Sequence, residues 1–320
     1  MISDIVPGYR QVSVDLNFRC DIMIGMVGIL KITGENNRVI IEGLKDFELK
    51  HTFECGQCFR WNPESDGSYT GVAYNRILNV SKDRDTVIFD NTNIDDFNNI
   101  WAKYFDLDND YSRIKRDISD EDEIMKKAVD FGHGIRILRQ EPWETLISFI
   151  ISANNAIPRI KRSVELLSEN FGHYLGQYKG KSYYSFPGAK VISRLNNEQI
   201  RFCRVGYRSE YILKTAKKIV DENISPKELK KLNSEDCYDA MLEFSGVGPK
   251  VASCILLFAM GKVEFCPVDI WVKRVMEYFY FHEDTPNKKI EQFIRQKFGE
   301  YAGYAQQYLF YYARELQIGK

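Results

Sequence analysis

The sequence predicts an α+β fold, an N-terminal antiparallel β-sheet domain packed on a mainly α-helical domain. Three observations carry this prediction. From about Asp46 to Asn91, short β-branched and aromatic segments alternate with turn formers. After Asn91 the apolar spacing becomes helical, and from there nearly every segment is amphipathic and closed by Gly, Pro or Asn. Strands gathered ahead of helices indicate segregated layers rather than alternating βαβ units. A chain of 320 residues, 44% of them hydrophobic, holds one large or two ordinary domains with a packed core. The expected division is a β-rich part over 1–117 and a helical part over 118–320, meeting in the charge-rich run 108–121, with residues 1–40 allowed as an extension.

Taken in order, the apolar run Ile22 to Leu30 follows Arg10 and Arg19. It is broken by glycines, preceded by Asp4, Asp15 and Asp21, and too short to span a bilayer. It reads as a buried strand or as part of a leader extension with Met26 as the natural start. Phe53, Cys58 to Trp61, Tyr69 to Ala73, Ile77 to Val80 and Thr86 to Phe89 read as strands, separated by turn formers such as Pro63 to Gly67 and Asp83 to Asp85. Helical spacing begins at Ile94, and helices are expected near 110–130, 142–153, 157–170, 197–203, 208–222, 226–232, 234–243, 249–260, 269–280, 286–298 and 301–315.

With 44 Lys+Arg against 45 Asp+Glu, net charge gives no argument for nucleic-acid binding, so any such binding rests on local features. Seven scattered cysteines, an odd number, favour reduced thiols in a cytosolic compartment over a disulfide framework. Cys55 and Cys58 form a lone Cys-x-x-Cys, with no second pair at ligand spacing to complete a zinc site. They read as two small residues in a strand or turn.

Leu242 to Tyr280 is the stretch richest in chemistry. Gly246-Val247-Gly248 joins two expected helices at about 234–260, and a compact glycine turn exposes backbone N–H groups to phosphate without needing net positive charge. A plain helix-turn-helix is the structural alternative for the turn alone. Pro249 suits the first turn of a helix and so places Lys250 at a helix start. An ammonium gains nothing from that end of the dipole, and burial under Val251, Ile255 and Phe258 favours its neutral, nucleophilic form. Asp269, after Pro267, reads as an N-cap. Lys250 and Cys254 share a helix face, as do Gln306 and Phe310. A base held between Cys254 and Phe310, with the Gln306 amide at its edge, is a pocket for a flipped nucleotide. Taken alone, Cys254 and Phe310 are ordinary core residues.

The segments Gly246 to Cys254 and Pro267-Val268-Asp269 resemble the helix-hairpin-helix and following loop of the DNA glycosylase superfamily, and specifically 8-oxoguanine DNA glycosylase of the eukaryotic type. Gly56 to Trp61, Leu138 to Trp143, Ser152 to Asn155, Gly206-Tyr207-Arg208, and Ala305-Gln306 with Phe310 extend the resemblance in the family's order over about Asp46 to the C-terminus. The resemblance implies that Lys250 attacks the sugar C1′ and forms a Schiff base that permits β-elimination. It implies that Asp269 stabilises positive charge on the sugar and helps deprotonate the lysine, and that Cys254 and Phe310 wall the base. Gln306 would read the Watson–Crick edge, and the Gly56 carbonyl would accept from N7–H, the one donor that 8-oxoguanine has and guanine lacks. A Cβ at position 56 would obstruct the base's approach. Gly246, Val247 and Gly248 would grip the backbone, while Asn154, Arg159, Tyr207 and Arg208 would fill the gap and contact the orphaned partner base. Arg159 and Arg208 have a plainer reading on solvated helix faces. Ala156, Pro158 and Trp271 depart from the family's pattern.

The implied activity is a bifunctional glycosylase and lyase acting on duplex DNA that contains 8-oxoguanine. A helix-hairpin-helix enzyme for an alkylated purine or oxidised pyrimidine, or a non-catalytic DNA-binding module, are the alternatives. The iron–sulfur branch is disfavoured because no cysteine follows Asp269. No cofactor is required; a monovalent or divalent cation on hairpin carbonyls is compatible. The protein is expected to be monomeric, off the membrane, and intracellular, in the cytoplasm or nucleoid of a prokaryote or the nucleus of a eukaryote.

Overall fold

In the computed structural model, which describes residues 19–25 and 28–319, the N-terminal part forms a seven-stranded antiparallel sheet. Its strands are β1 (Arg19–Gly25), β2 (Gly28–Glu35), β3 (Arg38–Glu42), β4 (Trp61–Pro63), β5 (Tyr69–Ala73), β6 (Arg76–Asp83) and β7 (Thr86–Asp90). They lie side by side in the order β1-β2-β3-β7-β6-β5-β4. The run Ile22 to Leu30 divides between β1 and β2, with Ile24 opposite Ile29. The rest of the expected extension, residues 1–18, lies outside the described residues.

Alternation sets the sheet's inner face. Val39 and Ile41 on β3, and Val87 and Phe89 on β7, are fully buried while their neighbours are more exposed. They meet an aromatic core that includes Phe47, Phe53, Trp61, Phe97, Trp101 and Phe105. Trp61 lies so close over Gly71 that a Cβ there would stand 2.4 Å from its ring, so only glycine fits. The strand expected at Phe53 is instead helix α1 (Leu49–Glu54), which buries Leu49, Thr52 and Phe53 on one face. Cys58 to Arg60 are loop, and the strand begins only at Trp61.

The helical part contains α2 (Tyr111–Ser119), α3 (Glu123–Phe131), α4 (Pro142–Ser152), α5 (Ile157–Phe171), α6 (Arg208–Asp221), α7 (Ser234–Leu242), α8 (Pro249–Ile255), α9 (Ile270–Met276), α10 (Asn287–Phe298) and α11 (Ala302–Leu316), with shorter turns between. The single helix expected over 110–130 is two. Asp122 takes extended backbone and accepts from the N–H groups of Ile124 and Met125, both at 2.9 Å, which starts a new helix. The helices expected over 249–260 and 269–280 finish as π-helical turns, Leu256–Met260 and Glu277–Phe281, closed by left-handed Gly261 and His282. A hairpin, Tyr174–Tyr178 with Lys181–Tyr184, was not expected. It is held through Tyr183, which packs on Val72 and Ile77 of the sheet part, a contact no local pattern reveals. Helix α4 is buried almost all round and forms the centre of the helical core.

Candidate active site

The turn between α7 and α8 needs one of its two glycines. Gly246 has φ +82°, and a Cβ on it would stand 2.8 Å from Tyr211. Gly248 has φ −100° and open space around it, so its bareness serves access rather than backbone strain. The Val247 N–H turns inward to the Phe244 carbonyl at 3.1 Å. Among the described residues, the N–H groups of Gly248, Lys250 and Val251 have no acceptor, and they make the donor cluster at the start of α8. The Ser245 carbonyl already accepts from Thr215 Oγ1 at 3.1 Å and Phe244 from Val247; each keeps a second lone pair, so a cation there is compatible with the turn.

Lys250 is half-buried, with its Nζ 5.6 Å from the centre of the Phe149 ring on α4. One turn along α8, Cys254 is buried, and burial pushes its thiol pKa up while the Lys250 ammonium opposes the shift. Asp269 caps α9 as the sequence predicts: Oδ1 accepts from the N–H groups of Trp271 at 3.0 Å and Val272 at 2.9 Å. Burial holds its carboxyl above the ordinary value, opposed by those N–H groups and by the charges of Lys250 and Arg314. An amine, a thiol and a carboxylate from two neighbouring helices thus lie within one another's electrostatic reach.

The other expected base-binding residues meet on α11. Gly56, in the loop after α1, has φ +85°, and a Cβ on it would stand 3.1 Å from the Phe310 ring and 3.3 Å from Arg314 Nη1. The glycine is therefore required by its own neighbours as well as by any ligand. Its carbonyl accepts no hydrogen bond among the described residues. Gln306 is 3% exposed, yet its Oε1 is buried with no donor. Phe310 stands one turn further along the same face.

The four residues expected at the partner base are not alike. Asn154 is exposed with φ +48°, Arg159 is exposed in the first turn of α5, and Tyr207 is 54% exposed, as a wedge must be. Arg208 departs from the solvated-face reading. It is buried, its Nε donates to the Ala153 carbonyl at 3.0 Å and its Nη2 to that of Asn154 at 3.0 Å, and Tyr207 packs 4.5 Å from its Cζ. These bonds hold the 153–154 turn, and with it Asn154.

Cys55 and Cys58 are buried free thiols; burial pushes Cys55 up to about 11 and Cys58 further. No metal-ligand cluster occurs among the described residues. Open cavities of about 550 and 450 Å³ lie elsewhere, lined by residues such as Arg139 and Lys230 in one and Tyr69 and Lys82 in the other, so chemistry rather than hollow size marks this site.

Residues 39–146 match the 8-oxoguanine DNA glycosylase N-terminal domain, and residues 147–300 the HhH-GPD superfamily of base excision DNA repair proteins. A probable N-glycosylase/DNA lyase of Methanothermobacter thermautotrophicus is 33% identical over 63% of this chain and 72% of its own length. An N-glycosylase/DNA lyase of Arabidopsis thaliana is 30% identical over 83% of this chain and 77% of its own. The Clostridium acetobutylicum 8-oxoguanine glycosylase/lyase, solved with duplex DNA bearing cytosine opposite 8-oxoguanine, superposes with a TM-score of 0.87 at 45% identity, covering 90% of this chain and 98% of that one. The chain belongs to the 8-oxoguanine DNA glycosylase family.

The departures from the family's pattern now have places. Trp271 is half-buried with Arg274 Cζ 5.2 Å from its ring, Ala156 precedes α5 without a side-chain cap, and Pro158 fits that helix's first turn. Sequence reasoning missed Phe149 beneath Lys250, and it missed Gln307 and Arg314. An apolar helix gives no sign of which ring meets the Lys250 amine. The doubled glutamine at 306–307, two amides on a helix otherwise buried, was the one signal available.

Proposed function

We propose that this protein is a bifunctional DNA glycosylase and lyase that excises 8-oxoguanine from duplex DNA. One observation carries the reading. Beside Phe310, two acceptors, Gln306 Oε1 and the Gly56 carbonyl, have no donor among the described residues. A base seated on Phe310 must therefore bring donors on two edges. Guanine has N1–H and an amine on its Watson–Crick edge but only an acceptor at N7; oxidation at C8 puts a hydrogen on N7. Guanine itself would set acceptor against acceptor in a dry site, at about 1–3 kcal/mol for each group left unpaired.

The chemistry follows from the other half. The neutral Lys250 amine attacks C1′, the bond from C1′ to N9 breaks with its electron pair on the base, and the base takes up a proton. Ring opening gives an imine, and loss of a proton from C2′ expels the 3′ phosphate oxygen with its bonding pair. Asp269 stabilises positive charge on the sugar and draws on the lysine's proton. The free N–H groups at the start of α8 hold the DNA backbone, and Tyr207 fills the vacated stack. The names of the relatives and of the Clostridium complex support the same reading.

Borohydride added to the protein with an 8-oxoguanine duplex should trap a covalent adduct, with cytosine as partner favoured over the other bases. An adduct that survives Lys250→Gln, or preferential release of an alkylated purine, overturns the assignment.

A further inference from the structure

We infer that Gln307 and Arg314 are positioning residues that set base preference by fixing the Gly56 carbonyl, an inference that rests on the function proposed above. Around Gly56, each neighbouring carbonyl is taken by a side chain. Arg314 Nη2 donates to the Glu54 carbonyl at 2.6 Å, Gln307 Nε2 to that of Cys55 at 2.7 Å, and Gln140 Nε2 to that of Gln57 at 2.7 Å. The Gly56 carbonyl alone in this run accepts nothing among the described residues.

The loop is also fixed from behind. Gln57 is fully buried; its amide donates to the carbonyls of Thr52 at 2.8 Å and Arg136 at 2.7 Å, and accepts from the Leu138 N–H at 2.9 Å. Gln307 is 1% exposed, so its bond to Cys55 is made away from water. The Arg314 guanidinium lies 5.3 Å from the Phe310 centroid, and its Nη1 stands 3.3 Å from the place of a Gly56 Cβ. Gln306 and Phe310 read the base from one face of α11, while Gln307 and Arg314, seven apart on an adjoining stripe, hold the loop. One rigid helix thereby fixes the distance between the two acceptors. A shift of about 1 Å is enough to turn a hydrogen bond into no bond, so discrimination by one hydrogen on N7 needs this kind of clamp.

The test uses the full chain and two variants. Gln307→Leu keeps bulk and removes the donor; Arg314→Lys keeps the charge that acts on Asp269 and takes away the Nη2 donor that reaches the Glu54 carbonyl. Single-turnover release of 8-oxoguanine, strand cleavage at a preformed abasic site and thermal melting are measured for each. The expected result is base release slowed about tenfold or more in both, with abasic-site cleavage within about twofold of the parent and cooperative melting retained. Base release within twofold of the parent, or equal losses in both activities, overturns the clamp while leaving the functional reading intact. A parent protein that releases no 8-oxoguanine overturns both. If Gln307→Leu fails to melt cooperatively, Arg314→Lys decides the matter by the same ratio.

Discussion

The half of this site proposed to react and the half proposed to recognise the base are built by opposite rules. Lys250, Cys254 and Asp269 lie in one short stretch of chain, with Lys250 and Asp269 placed by the starts of two helices and Cys254 one turn further along the first. Gly56, Gln306 and Phe310 come from distant segments, and the atom proposed to discriminate belongs to the main chain. The reacting half satisfies its polar groups internally where the Asp269 carboxylate is concerned, whereas the recognising half keeps a buried acceptor on Gln306 unpaired. Chemistry can be carried by a local motif. Selection of a base by one hydrogen requires a tertiary frame, and it costs stability in the free protein.

Substitutions that separate the halves test this comparison. The largest effect is expected for Lys250→Gln, which should abolish borohydride trapping and slow strand cleavage by more than about 1,000-fold with duplex affinity nearly unchanged. Next is Gly56→Ala, where a left-handed backbone and the Phe310 contact together should cost about 1–2 kcal/mol of stability and slow base release roughly 100-fold. Abasic-site cleavage should persist; if it falls in step with base release, the halves are not separable.

Gln306→Leu sharpens the point in the other direction. Base release should slow about 10- to 100-fold while the DNA-free protein melts no lower, and up to about 1 kcal/mol more stably, because an unpaired buried acceptor is gone. A clear loss of stability would show that Oε1 is satisfied in solution. For Asp269, the raised carboxyl means that the ionised form is lost as pH falls through a value above the ordinary 3.8. The acid limb of the rate profile should therefore sit above that value and disappear in Asp269→Asn.

The smallest effect concerns a group outside both halves. Glu144, 22% exposed and 3.7 Å from the buried Arg60, is pushed up to about 7 by burial, with Arg60 opposing and Glu141 and Glu165 adding to the shift. Folded protein thus holds that proton more tightly than unfolded chain, so the contribution is full below the ordinary 4.5 and fades as pH rises through about 7. Relative to Glu144→Gln, the parent should lose on the order of 1–2 kcal/mol between pH 5 and 8 in denaturation experiments. A difference that stays flat with pH removes the argument.

Much of this arrangement was legible in the residues. Local pattern located strands β5 to β7, most of the long helices and the Asp269 cap, since each depends on neighbours a few positions away, whereas β3 lies ahead of the stretch read as strands. What stayed hidden depends on contacts across the fold. The short helix α1 is defined by what Phe53 packs against, the 174–184 hairpin by Val72 and Ile77, and the buried state of Arg208 by two carbonyls of another segment. The role assigned to Gly56 came from resemblance and that of Gln306 from its spacing to Phe310, and no pattern around either position announces an unpaired oxygen. Gln307 and Arg314 escaped even that.

That the oxygen proposed to discriminate sits on the backbone has an evolutionary consequence. A side-chain reader is retargeted by replacing it, but every amino acid at position 56 would carry the same carbonyl, and most would not fit beside Phe310. A lineage seeking a new lesion has to relocate the 54–57 segment or reshape the helix that holds it, changes that arrive together or not at all. Drift in substrate range should therefore be recorded in the partners of the loop sooner than at the glycine itself.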